Sequence, residues 1–529
     1  MRADEVDGLP RDTPAEVVRY AAGPGRTPPG DPALGTRVER TRRGTPRHWL
    51  VAIGDSLTHG FQSGAVCTTD LSYPAVIAHE LGWEGFRSPQ YPAHGGLPLN
   101  LELLLRDLEQ RFGADLDLWE VPLALFRAHD LLDEIEDHWE RGPGRDPAPA
   151  GRPLQHALAV YGWNLHDALT RTAGTCAAEL AEPRDDVLRQ VVQSHAQRAA
   201  LRVYPGDPAS AGKTFFDVAR ELGAEHDEDT DAGIETLVVM LGSNNALRTV
   251  CDLRLRWTGE DGAPPVDEDA CTMWAPSRFG RDLERVAEQV GSIEARHVVW
   301  STVPHVTIAP LARGLGTKVA PGSRCFPHYA RPWTSPQRFD PQRHRHLTAA
   351  QVRAVDHGVD MFNERIEQVV ERGRRGGCDW YLFDLCTLLD RLASRRYVED
   401  PDARPPWWSP YPLPAELARL DPPPDTRFLS GDGRGGRATG GLFSLDGVHP
   451  TTVGYGLIAQ GIVDVMRLAG VEFHRPDGSV RPDPVTVDFA RLLRRDTLVT
   501  HPPQLVPPAL GALEWADTAL DAFRRALPL

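Results

Sequence analysis

Cysteine is scarce in this chain of 529 residues. There are seven (Cys67, Cys176, Cys251, Cys271, Cys325, Cys378 and Cys386), an odd number with no C-x-x-C pair among them. That spacing argues against a disulfide framework and a zinc ribbon, and it fits a reducing compartment. The sequence also lacks any run of about 18 apolar residues that could span a bilayer. Its start, Met1-Arg2-Ala3-Asp4-Glu5, lacks the apolar stretch of a secretory signal. A cytoplasmic protein is expected. Positive charge is in deficit, with 58 Lys and Arg against 74 Asp and Glu and a net charge of −16. Such a balance repels phosphate, so neither nucleic acid nor an anionic membrane surface is an expected partner. Glycine and proline are abundant instead, 48 and 47 residues, which predicts many turns and long loops.

Short apolar runs ending at small or polar residues recur along the chain. They are Trp49–Ile53 before Gly54, Ala157–Tyr161 before Gly162, Thr236–Leu241 before Gly242, His297–Trp300 before Ser301 and Asp379–Phe383 before Asp384. Each reads as a buried strand. Between them lie helical patterns. Asn100–Arg111 places Leu101, Leu104, Leu105 and Leu108 on one face, and Phe279–Ala295 and Thr348–Arg372 are two further candidates. Strands alternating with helices predict an α/β fold with a parallel sheet, whose strand C-terminal ends share one ligand-binding edge. Gly- and Pro-rich stretches at about 258–276, 309–345 and 400–440 read as long insertions, as does about 67–150.

Ile53-Gly54-Asp55-Ser56-Leu57 puts a serine directly after a buried strand. There its hydroxyl reaches the sheet edge, where backbone N–H groups of the next element can face an anion, as a nucleophile with an oxyanion intermediate requires. An N-capping serine is the plain alternative at such a turn. Leu445-Asp446-Gly447-Val448-His449-Pro450 supplies the missing chemistry. A carboxylate and an imidazole three residues apart, on a loop entering a helix, can orient a base that removes the serine proton.

These segments resemble the SGNH or GDSL hydrolases. Gly54-Asp55-Ser56-Leu57 is similar to the first block of that family, and Asp446-Gly447-Val448-His449 to the last. The resemblance implies a flavodoxin-like three-layer α/β/α fold, Ser56 as nucleophile, His449 as base and Asp446 as its orienting acid. Gly242-Ser243-Asn244-Asn245 is similar to the third block, with Asn245 standing where Asp is usual. By that likeness the oxyanion hole is formed by the Ser56 N–H, the Asn244 side chain and one further glycine. Gly162 is favoured for that glycine because it follows a strand, and Gly95 or Gly96 competes. Asp55, Asn245, Thr302 and His305 are further candidates for the pocket.

The blocks occur in family order from Ser56 to His449. Residues 1–47 then read as a polar leader, 48–470 as one hydrolase domain swollen by insertions, and 471–529 as a C-terminal extension. The expected activity is serine-dependent hydrolysis of a small-molecule acyl ester, with no cofactor and no metal. Acyl transfer by the same triad, or a non-catalytic carbohydrate- or lipid-binding module, are the alternatives. Other motifs fall away. There is no G-x-S-x-G and no H-E-x-x-H. Gly206 to Gly212-Lys213-Thr214 has five residues between its glycines where a phosphate loop has four, and His344 and His346 sit in an Arg- and Pro-rich loop. Oligomeric state has no signal in the sequence.

Overall fold

The computed structural model describes residues 8–39, 44–91, 93–114, 119–147, 149, 151–182, 192–228, 230–259, 270–475 and 477–506. Its centre is a sheet of five strands: β1 (Pro46–Gly54), β2 (Ala157–Ala159), β3 (Asp231–Met240), β4 (Ala295–Ser301) and β5 (Trp380–Phe383). All neighbours pair in parallel, in the order β2-β1-β3-β4-β5. This is the doubly wound, flavodoxin-like order, and its direction reverses between β1 and β3.

The apolar runs are continuous because both faces of the sheet are covered. Val51 and Ile53 of β1, with Leu237 and Val239 of β3, enter one core. Their neighbours Leu50 and Ala52, Val238 and Met240, enter the other. The helices used below are α1 (Ala15–Ala21), α2 (Ser56–His59), α3 (Tyr73–Glu80), α4 (Leu101–Phe112), α5 (Val121–Glu140), α6 (Phe215–Ala224), α7 (Pro276–Gly291), α8 (Ala349–Arg375), α9 (Leu385–Leu392) and α10 (Thr452–Ala469). α6, α7 and α8 close the first core, and α3 and α10 the second.

The expected elements are present, with shifted ends. Asn100 is the cap of α4, accepting from Leu103 N–H at 3.1 Å. Thr348 and Gln351 close a reciprocal capping box on α8, which runs to Arg375. α7 starts at Pro276 and stops at Gly291, because Ala295 is already in β4. β2 ends at Ala159, and the chain turns at Gly162, whose φ is +79°.

The segments read as insertions carry structure of their own. Residues 67–150 hold α3, α4 and α5, and the Trp139 indole donates to Gly96 O at 2.9 Å. Arg313–Leu315 and His328–Ala330 inside 309–345, with Leu347–Thr348 just beyond it, form a small antiparallel sheet. Ser430–Gly431 pairs with Arg437–Thr439 inside 400–440. Of the stretch 258–276, residues 260–269 lie outside the described residues, as do 1–7, 40–43 and 507–529.

The polar leader is packed on the domain over residues 8–39. Tyr20 Oη donates to Glu364 of α8 at 2.7 Å. The buried Arg26 guanidinium reaches Glu367 at 2.7 Å and Asp384 at 2.6 Å. Leu382 N–H of β5 donates to Pro32 O at 2.9 Å, so the leader covers the outer edge of the sheet. At the other end, Phe489 and Leu492 enter the core that α10 closes.

Candidate active site

Ser56 owes its position to the end of β1. Asp55 caps α2 by accepting from Leu57 N–H at 3.1 Å, so Ser56 opens the helix at the carboxyl edge of the sheet. The loop before α10 brings up its partners. His449 Nε2 lies 2.9 Å from Ser56 Oγ, and His449 Nδ1 lies 3.1 Å from Asp446 Oδ2. Asp446 Oδ1 accepts from the N–H groups of Val448 (2.9 Å) and His449 (2.8 Å), and Oδ2 from Gly64 N–H at 3.0 Å. Burial acts to raise the Asp446 carboxyl, but the adjacent imidazole and these N–H donors hold it below the usual carboxylate range. An ionised acid therefore faces the imidazole. Phe61 packs on the other side of that ring, with centroids 4.6 Å apart.

The three residues occupy the place where the sheet order reverses, outside the carboxyl ends of β1 and β3, where ligands bind in such folds. Asn244 arrives there from β3 by a turn through Gly242, whose φ is +116°. Its Nδ2 donates to Trp163 O at 2.8 Å. An amide nitrogen carries two hydrogens, so one remains for a ligand. The same bond ties Asn244 to the loop holding Gly162, and Tyr161 N–H, donating to His59 Nδ1 at 3.3 Å, ties that loop to α2. Among the described residues no acceptor takes the Gly162 N–H. Of the competing glycines, Gly96 gives its N–H to Ala93 O.

An apolar cavity of about 90 Å³ opens beside Ser56 and His449, walled by Leu57, Leu247, Leu385, Leu388, Phe443 and Ile458 among others. Of the four candidate pocket residues only His305 lines it. The other three hold the framework, because each is buried and committed to a partner. Asp55 caps α2, and burial pushes its carboxyl up to about 6 against the lowering effect of Leu57 N–H, His449 and Ser243. Asn245 Oδ1 accepts from Leu165 N–H at 3.4 Å. Thr302 Oγ1 donates to Asp384 at 2.9 Å and accepts from Cys386 N–H at 3.0 Å, joining β4 to α9.

His305 is held between Asp390 (3.0 Å from Nδ1) and Asp360 (3.2 Å from Nε2). Burial alone would lower this imidazole; Asp390 and its neighbouring anions instead raise it well above the ordinary value, so it carries charge. Cys386 Sγ is 3.5 Å from the same Nδ1. His305, Cys386 and Asp390 are the one three-ligand group among the described residues with donor atoms close enough for a metal. The ring's bonds to two carboxylates already account for the arrangement as ion pairing.

Sequence reasoning missed two contributors. Leu385, Leu388, Leu389 and Leu392 repeat at helical spacing on α9 and turn toward the cavity; that periodicity was visible. Gly64 has no such signal, because the value of its N–H depends on a loop 382 residues away. No family model, curated protein or solved structure matched the chain.

Proposed function

We propose that the protein is a serine-dependent ester hydrolase. Ser56 Oγ attacks the ester carbonyl while His449 Nε2 takes its proton, and Asp446 fixes the imidazole and stabilises its cation. The Ser56 and Gly162 N–H groups and the Asn244 amide receive the oxyanion. His449 then protonates the departing alcohol, and water repeats the sequence on the acyl-serine to release the acid. The apolar cavity beside Ser56 suits the acyl chain. The SGNH-like order of the sequence blocks agrees with these roles.

The observation that carries the reading is the unbroken hydrogen-bond chain Asp446–His449–Ser56 at the reversal point of the sheet. Hydrolysis of a panel of chromogenic acyl esters by the wild type and by Ser56→Ala tests it. Turnover by the wild type and its loss in the variant are expected. An inert wild type, or a fully active Ser56→Ala, overturns the proposal.

A further inference from the structure

A second and larger cavity, of about 730 Å³, lies behind the wall of the apolar one. The two share the segment after β4: Val306 and Ala309 face the first, Thr307, Ile308 and Pro310 the second. Leu311 N–H donates to Gly447 O at 3.0 Å, fastening this wall to the loop that carries Asp446 and His449. Its volume is in the range of small-molecule sites.

The lining of this cavity runs against the charge of the whole chain. Among the described residues, five arginines face it (Arg313, Arg324, Arg395, Arg396 and Arg427) and no Asp or Glu does, although the protein carries −16. Three are answered from behind the lining. Arg324 and Arg396 pair with Asp356, at 3.4 and 3.1 Å, and Arg427 pairs with Asp425 and Glu399. Arg313 and Arg395 have no carboxylate partner in an ion pair among the described residues. Each gives one N–H to a backbone carbonyl, Arg313 to Thr334 O and Arg395 to Gly314 O, both at 2.6 Å. Arg313 Nε is buried without any acceptor. Burial disfavours both charges. Arg395 further opposes Arg313, and for Arg395 the nearby Glu399 offsets part of the burial cost while Arg427 adds to it. Arg395 stacks at 4.6 Å over Phe326, which also lines the cavity, so its plane and remaining donors are held in place.

Two half-buried guanidiniums with no carboxylate in ion-pair contact are costly unless a ligand supplies the charge. Their forked donors match the planar or tetrahedral oxygens of a carboxylate or phosphate. We propose that this cavity is an anion-binding site, taking a carboxylate or phosphate group with an apolar or aromatic flank on Arg313 and Arg395. The binding does not rest on the hydrolase reading. Because the cavity shares a wall with the serine site, its anion belongs either to the substrate or to a separate ligand bound next to it.

Calorimetric titration of the full chain with inorganic phosphate, against sodium chloride at equal ionic strength, tests the site. Saturable binding is expected, weakened roughly ten- to hundredfold in Arg313→Gln and in Arg395→Gln. Arg395→Lys, which keeps the charge but loses the fork, is expected to fall between. Thermal unfolding in chloride verifies that each variant is folded. No saturable binding by the wild type, or equal affinity in wild type and both folded Gln variants, overturns the proposal; if a Gln variant fails to fold, equal affinity in Arg395→Lys does so. Two chromogenic esters of equal length, 4-nitrophenyl hexanoate and mono-4-nitrophenyl adipate, locate the anion. A lower KM for the adipate ester that phosphate and Arg395→Gln raise supports the site and assigns the anion to the substrate. Equal KM values with phosphate bound support a separate ligand.

Discussion

Asp446 and Asp55 are both buried carboxyls within a few residues of the proposed chemistry, and their surroundings drive them in opposite directions. Asp446 is held low by donors on both oxygens. Its stabilising effect is therefore fully present above the unfolded pKa of about 3.9 and is lost as pH falls through the lower folded value. Asp55, raised to about 6, behaves the other way: its contribution is complete below about 4 and is lost as pH rises through 6. That loss is about 3 kcal/mol at 1.36 kcal/mol per pKa unit. Asp55→Asn keeps an acceptor for Leu57 N–H and removes the titration. Urea unfolding at pH 4 and pH 7 is expected to show the variant gaining stability over the wild type only at the higher pH. In turnover, Asp446→Asn leaves a side chain of the same shape that cannot stabilise the imidazolium, and a fall in kcat of roughly 10³- to 10⁴-fold is expected. Asn244→Ala is expected to lower kcat roughly 10²- to 10³-fold with little change in KM, since its donor serves the oxyanion and not the bound ester. Steady-state kinetics on one chromogenic ester separate these outcomes.

The turns at the ends of β1 and β3 carry the proposed nucleophile and the proposed amide donor, so small changes there act through position. A methyl group at Gly242 would meet Val303 Cγ2 at 2.9 Å and Phe279 Cε2 at 3.0 Å, on a backbone at φ +116° that side chains rarely adopt. Gly242→Ala is expected to destabilise the fold by about 1–3 kcal/mol and to lower kcat by moving Asn244; chemical denaturation and kinetics on the same preparation test both. How much of this could be read beforehand follows from how local each feature is. Strands buried on both faces announce themselves as unbroken apolar runs, and a serine after one of them, or an Asp three residues before a His, needs no distant information. The end of β2 was misplaced because Val160 and Tyr161 are as apolar as the strand yet pack outside its ladder. Thr302 and Asn245 have polar side chains at strand ends, which suits a pocket, but bonds to Asp384 and Leu165 turn them inward. Those partners lie 82 and 80 residues away, beyond any pattern in the sequence.

Across the whole molecule, the leader acts as a clasp. β5 is the last strand of the sheet, and an uncovered strand edge invites pairing with other chains; Pro32 O takes the Leu382 N–H there. Arg26, with only 4% of its side chain exposed, binds Glu367 and Asp384 together. Arg26→Ala strands two carboxylates in partial burial and is expected to cost about 3 kcal/mol, less than a fully enclosed pair would. A drop of that size in urea unfolding checks the clasp; a change under about 0.5 kcal/mol contradicts it. The clasp also has a consequence in time. Arg26 and Asp384 are 358 residues apart, and Ser56 and His449 are 393 apart. At a synthesis rate of about 5–20 residues per second, the first partner waits roughly 20–80 seconds for the second. The nascent chain thus carries Arg26 without Asp384 and Ser56 without His449 until those later segments have been made, so the proposed hydrolase site can assemble only once residue 449 has emerged.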